Sequence, residues 1–244
     1  MSQKVIFMSR LILNVPFDEK DEAKRKGARW EPALKKWYVP EGISSLQFIP
    51  WIQELKDKSN YQLYSEYYFI GKNESRCWKC GELINLYAFC LPRGHKCLNI
   101  DYLAPDDEEY TGEWQYYDGA FFRCDSDGTC YSWTENPCFS GVSNITDVDP
   151  RALSHIRHFS PAWRPGYSKT AGYSYYANHC PHCARLQGDF MIFNEPGGAF
   201  LPNSSIQAAK IKLFKINEPI FLNGGTCFTT CDFYEDMTHT SERS

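Results

Sequence analysis

Two pairs of cysteines carry the clearest chemistry in this 244-residue sequence. The tetrapeptide "CPHC" holds Cys180 and Cys183, with His179 and His182 interleaved, and "CWKC" holds Cys77 and Cys80. A turn of two residues between cysteines brings their thiolates about 3.5–4 Å apart, which suits two corners of a tetrahedron around zinc. Two such turns make a closed set of four sulfur ligands. A coordinatively full ion has no position for a water molecule, so the set reads as a structural zinc site and not as a centre that activates water. Two alternatives use the same residues. Thioredoxin-like dithiols share the "CPHC" spacing, although no parallel βαβ pattern surrounds Cys180. His182 can replace one cysteine as ligand, and His179 less readily; both are read here as surface residues of the turn. The position after the second cysteine of such a turn favours positive φ and hence glycine. Gly81 complies, whereas Ala184 is expected to be strained.

The remaining cysteines, Cys90, Cys97, Cys124, Cys130, Cys138, Cys227 and Cys231, read as buried thiols that pack as small hydrophobes. A second metal set of His95, Cys97, Cys124 and Cys130 has no recognisable ligand spacing. His155 and His158 share a helical face, yet no carboxylate stands at a telling offset from them. Nucleophile elbows, phosphate-cradling loops and paired-histidine zinc motifs are missing from the sequence. The glycines of "EPGGAF" and "NGGTC" fit turns, and the acidic run Asp106, Asp107, Glu108, Glu109 fits a solvated loop. No recognisable catalytic motif emerges, and the chain leans toward a non-catalytic role.

A third constellation mixes cations and rings. Lys24, Arg25, Lys26 and Arg29 run into Trp30, and Lys35 and Lys36 into Trp37 and Tyr38. Single-stranded nucleic acids are held by such mixtures, with bases stacking on rings while cations follow the phosphates. The competing reading is that a module of about 50 residues needs large aromatics merely to build a core. Strand alternation puts Trp37 and Val39 on one face and Tyr38 on the other, so at least one ring is expected to be exposed.

These residues need elements to hold them. "LILN" at 11–14 predicts a strand ended by Pro16. In "FDEKDEAKRKG" acids come early, bases late, and Gly27 closes, which matches a short helix and its dipole. "ARWEPALKKWYVP" predicts a hairpin turning near Pro32. A short helix is expected after Pro50, with Trp51, Ile52 and Leu55 on one face. "DPRALSHIRHF" predicts a helix over about 149–159, capped by Asp149 with Pro150 at its first position. Strands are expected in "ELINLYAF" and "RLQGDFMIF" after the two cysteine turns, and in "GAFLP". The fold class is α+β: a strand-helix-hairpin module at 1–57, a linker at 58–69, a β-rich zinc-ribbon domain at 70–235 with an inserted region at 101–178, and a flexible tail at 236–244. The 99 residues between Cys80 and Cys180 exceed the usual ribbon spacing, which is why an insertion is required.

The run "LNVPFDEKDEAKRKGARWEPALKKWYVP" resembles the small domain of unknown function catalogued as DUF5710, over roughly residues 10–45 and without gaps. That resemblance implies a bacterial protein associated with nucleic-acid transactions, in a plasmid, phage, defence or other mobile-element setting. It implies no activity. The rest of the chain resembles uncharacterised bacterial zinc-ribbon proteins.

Charge is unevenly distributed around a net of −4. Residues 1–60 hold 11 Lys+Arg against 8 Asp+Glu, and the remainder 15 against 22, so a phosphate backbone is expected to meet the first part. The function expected is a zinc-binding, non-catalytic nucleic-acid-binding or adaptor protein; the alternative is a protein-interaction module whose acidic insertion binds a basic partner. No apolar run is long enough to span a bilayer, and the opening residues are broken by Ser9 and Arg10, so a cytoplasmic chain is expected. Eleven cysteines in a reducing compartment point to metal ligands or buried thiols.

Overall fold

The computed structural model describes residues 11–40, 43–52, 61–102, 115–117, 120–125, 128–226 and 233–240. Strand β1 (Leu11–Leu13) runs into a turn of 3-10 helix and then helix α1 (Lys20–Arg25). Asp21 and Glu22 lie in the first turn of α1 and Lys24 and Arg25 in the last, as the dipole favours. Gly27, at φ 101°, then turns the chain into β2 (Arg29–Glu31), which pairs with β3 (Lys36–Val39) as the expected hairpin. β3 lies centrally in an antiparallel sheet of order β1-β3-β2. The register Leu13↔Trp37 and Trp30↔Trp37 sets those side chains on one face, with Ile12, Arg29 and Tyr38 on the other. Leu13, Ala23, Ala28, Val39, Phe48 and Trp51 are buried within the module. The expected helix after Pro50 is instead a 3-10 helix at Leu46–Trp51 that contains Pro50, and Leu55 lies outside the described residues.

The chain continues through β4 (Leu63–Ser65), β5 (Tyr68–Arg76), β6 (Leu83–Leu91), β7 (His95–Tyr102), β8 (Gln115–Tyr117), β9 (Ala120–Cys124) and β10 (Thr129–Asn136). It then forms β11 (Ser140–Val148), α2 (Pro150–Phe159), β12 (Arg164–Ser168), β13 (Tyr173–Ala177), α3 (Ser205–Ala208), β14 (Lys212–Ile216), β15 (Ile220–Thr226) and β16 (Thr238–Thr240). Sheet dominates and helices are few, in line with the α+β expectation. None of the described helices is long and apolar enough to cross a membrane.

The molecule has two compact units, 1–60 with 96–135 and 61–95 with 136–244. In the first, strands order as β7-β10-β9-β8, and the Ser44 hydroxyl donates to Glu135 at 2.7 Å. Cys124 and Cys130 stand directly opposite each other on β9 and β10 and form a disulfide. The expectation of thiols fails for this pair, because hairpin register brings together two residues that the sequence shows only as neighbours. Cys90 is buried as expected, Cys97 and Cys138 are half-buried, and Cys227 and Cys231 lie outside the described residues, as does the acidic run 106–109.

In the second unit the sheet runs β16-β14-β5-β6-β11-β15-β4, with β13 also paired to β11 and β12 to β13. Where Phe69–Gly71 of β5 pairs with Ala88–Cys90 of β6, the hairpin is buried on both faces, the pattern of strands covered on each side. One face gives Phe69, Ile84, Leu86, Ala88 and Cys90 to a core completed by Ile192, Phe193, Phe200 and Leu213. Gly71 belongs to this face, where an added Cβ would stand 3.0 Å from both Cys90 Sγ and the Phe200 ring. Against the other face lies α2, through Ile156 and through His155, whose Nδ1 is 2.8 Å from the Tyr68 hydroxyl. Trp163 meets Phe89 there and stacks on Tyr176 at 5.2 Å.

Several expected boundaries differ. The segment read as a linker, 58–69, contains β4 and the start of β5, with Tyr64 and Tyr68 fully buried. Of the region read as an insertion, 101–178, the part from 136 onward is built into the second unit, since β11 pairs with both β6 and β15. Within the expected tail, residues 238–240 form β16, parallel to β14. "DFMIF" is a π-helix at Phe190–Asn194, not a strand, and "GAFLP" contributes only the bridge Gly198↔Leu201.

Candidate metal centre and nucleic-acid interface

Cys77 and Cys80 occupy the turn of the β5–β6 hairpin, and Cys180 and Cys183 the turn that follows β13. The two turns are built alike. Cys77 N–H donates to Glu82 O at 2.8 Å and Gly81 N–H to Cys77 O at 2.9 Å; Cys180 N–H donates to Arg185 O and Ala184 N–H to Cys180 O, both at 2.9 Å. Gly81 sits at φ 77° and Ala184 at φ 56°, so the second turn keeps the left-handed position with an L-residue, as the sequence led us to expect.

The arms are tied together beside the sulfurs. Asn178 presents its side-chain amide to the edge of β6 as a strand would, accepting from Tyr87 N–H and donating to Tyr87 O, both at 2.8 Å. Trp78 Nε1 donates to Leu186 O at 2.8 Å, and Gln187 Nε2 approaches Cys77 Sγ at 3.4 Å. As a result the four cysteine sulfurs lie within 4.8 Å of one another, with Cys77–Cys183 and Cys80–Cys180 each at 3.7 Å. Tetrahedral coordination at about 2.3 Å per sulfur requires sulfur separations of about 3.8 Å, so this donor set fits a thiophilic ion.

The thiols differ in acidity. Burial opposes ionisation of Cys77, but N–H groups of Cys80 and Lys79 and the neighbouring thiols outweigh it and bring its pKa down to about 6. At Cys80 the Glu82 N–H favours the thiolate, yet desolvation and the three surrounding thiols push the pKa up to about 12. Cys183 is raised as well: the Arg185 N–H favours its thiolate, but desolvation and the thiols of Cys180 and Cys77 prevail. One thiolate forms readily and the next is resisted, the pattern that a divalent cation relieves.

His182 is exposed and outside the sulfur set. His179 differs from the expectation of a surface residue: it is 7% exposed, its Nδ1 lies 3.1 Å from Ala177 O, and burial lowers its pKa. Cys180 follows the antiparallel β12–β13 hairpin, which is not a thioredoxin-like setting. The set His95, Cys97, Cys124, Cys130 is ruled out by the disulfide. His155 is engaged by Tyr68, and His158 is exposed beside the Phe159 ring.

In the N-terminal module a pocket of about 550 Å³ opens between the 13–17 segment and the hairpin turn. Phe17, Trp30 and Trp37 line it together with Lys20, Lys35 and Lys36. Trp30 meets Trp37 edge-on at 5.6 Å and is 48% exposed; Phe17 is 82% exposed. Lys20 Nζ stands 3.5 Å over the Phe17 ring, and Lys36 Nζ donates to Asn14 Oδ1 at 2.7 Å. Of the nine residues expected to meet nucleic acid, the pocket gathers Trp30, Lys35, Lys36 and Trp37. Lys24 and Arg25 are exposed on α1, outside it. Lys26 pairs with Glu22 at 2.9 Å and covers the Trp51 ring, a structural employment. Arg29 and Tyr38 pair on the opposite face of the sheet. Sequence reasoning missed Phe17 and Lys20, whose signal was an aromatic just after Pro16 with a cation three residues on.

Residues 10–53 match the family described as "Domain of unknown function (DUF5710)". Over 45 residues the chain is 51% identical to a "DNA primase TraC" of Escherichia coli, and over 44 residues it is 50% identical to a second E. coli protein of that name. Each match covers 18% of this chain and only 4% and 3% of the respective relative. No solved structure matches.

Proposed function

We propose that this chain is a zinc-binding, non-catalytic nucleic-acid-binding protein whose N-terminal module meets the nucleic acid, while a zinc-ribbon-like four-cysteine site holds the second unit together. The observation that carries this reading is the lysine-rimmed aromatic pocket. Lysines neutralise phosphates and release counterions, and exposed aromatic rings accept bases. Similarity of the same stretch to two DNA primases supports DNA as the polymer, and the DUF5710 resemblance supports a bacterial mobile-element, phage or defence setting. The sulfur separations and the inequality of the thiols support zinc at Cys77, Cys80, Cys180 and Cys183. When bound, zinc supplies a cross-link between two turns distant in sequence. With four sulfur ligands it has no position for a substrate.

Fluorescence anisotropy against labelled DNA at two salt concentrations tests the reading. Binding is expected to weaken with salt, and joint replacement of Lys20, Lys35 and Lys36 by glutamine to lower the slope of log affinity against log salt by about 2. An unchanged slope would remove the pocket from the contact surface.

A further inference from the structure

We infer that the pocket of the N-terminal module receives an unpaired base of single-stranded DNA, with the rim lysines holding the phosphates on either side. The inference rests on the nucleic-acid reading above and names the form of polymer that the site selects.

Three features lead there. The site is concave, and about 550 Å³ falls within the range of pockets that enclose a small ligand, roughly 300–1,000 Å³. A duplex offers such a pocket nothing to insert, because its base faces are covered by their neighbours and only edges and phosphates are presented. The lining is aromatic where a base would lie. Phe17 and Trp30 are exposed and neither contributes to the core, and Trp37 packs edge-on against Trp30 at 5.6 Å, so Trp30 has an aromatic neighbour and still offers exposed ring surface for stacking. Finally, the cations stand at the rim. Lys20 is held over the Phe17 ring and Lys36 by Asn14, so two of the three ammonium groups are already in place next to the stacking surfaces. A neutral apolar ligand would engage the rings and make no use of the three lysines at the rim. The flexible, charged and unstacked backbone of a single strand satisfies both.

The test uses the full chain and anisotropy of a labelled oligothymidylate of about 15 nucleotides, a hairpin duplex of similar length and an oligouridylate. The single-stranded DNA is expected to bind about 10-fold or more tightly than the duplex. Phe17→Leu, which keeps an apolar side chain but removes the ring, and Trp30→Ala are each expected to weaken it about 5- to 100-fold with an unchanged salt slope; Trp30→Phe retains most of the affinity. Both positions are exposed, and far-ultraviolet circular dichroism verifies the fold of each variant. Duplex binding as tight as single-strand binding, or affinity indifferent to the Phe17 and Trp30 replacements while the lysine variant still loses its slope, would overturn this inference and leave the nucleic-acid reading standing. An oligouridylate bound more tightly than the DNA would overturn the assignment to DNA. No salt-sensitive binding to any of the three would overturn both.

Discussion

Asp189 is 3% exposed, and burial raises its pKa to about 7, opposed only in part by the Asn144 N–H that donates to Oδ2 at 2.6 Å. A carboxyl that keeps its proton when folded, and loses it near its ordinary pKa when unfolded, makes folding less favourable as pH rises between the two values. Here the window runs from about pH 4 to about pH 7. Asp189→Asn, which keeps an acceptor for Asn144, is expected to remove that slope. The unfolding free energy of the wild type, measured relative to the variant in denaturant, should fall by on the order of 4 kcal/mol across the window. A difference that stays flat or rises would show Asp189 ionised in the native protein. At this scale the sequence was legible where chemistry is local. Two residues between cysteines bring their sulfurs close within one turn, and both turns are present. Exposure is not local: Phe17 reads like any core aromatic, and His179 like a loop residue, until the neighbouring strands are placed.

The helices and the first hairpin were legible for a similar reason. Asp149 caps α2 by accepting from Arg151 N–H at 2.8 Å, with Pro150 at the first position, and the element spans Pro150–Phe159 as those end signals require. Asp149→Ala is expected to cost about 1 kcal/mol of stability in equilibrium unfolding, and Asp149→Ser to restore most of it; equal loss in both variants would assign the effect to the buried environment of Asp149 and not to the cap. Strand identity was harder to read. After Asp189, "FMIF" is apolar throughout, and a run that short has the same signature as a strand or as a buried helical turn. It forms a π-helix that places Ile192 and Phe193 in the β5–β6 core and leaves Phe190 and Met191 exposed. Likewise the tyrosines of 61–68 looked polar enough for a linker, yet Tyr64 packs on Phe221 at 4.8 Å and Tyr68 reaches His155, partners more than 80 positions away.

For the whole molecule, division of labour is the claim that no single element tests. The four-cysteine site draws its turns from positions about 100 residues apart, and only the pairing of β6 and β13 with β11 explains how so long an excursion returns. Sequence spacing required an excursion but gave no means of seeing that residues 96–135 group with the N-terminal module while 136–177 rejoin the cysteines. On the present account zinc stabilises the second unit, and nucleic acid is held by the first. The most direct measurement is anisotropy of labelled single-stranded DNA with the zinc-loaded protein and again after chelation, with near-ultraviolet circular dichroism recorded on both samples. The account predicts that chelation collapses the aromatic signal of the second unit while salt-sensitive DNA binding persists with its slope little changed. DNA binding that disappears together with the metal would contradict it and move the contact surface to the cysteine turns.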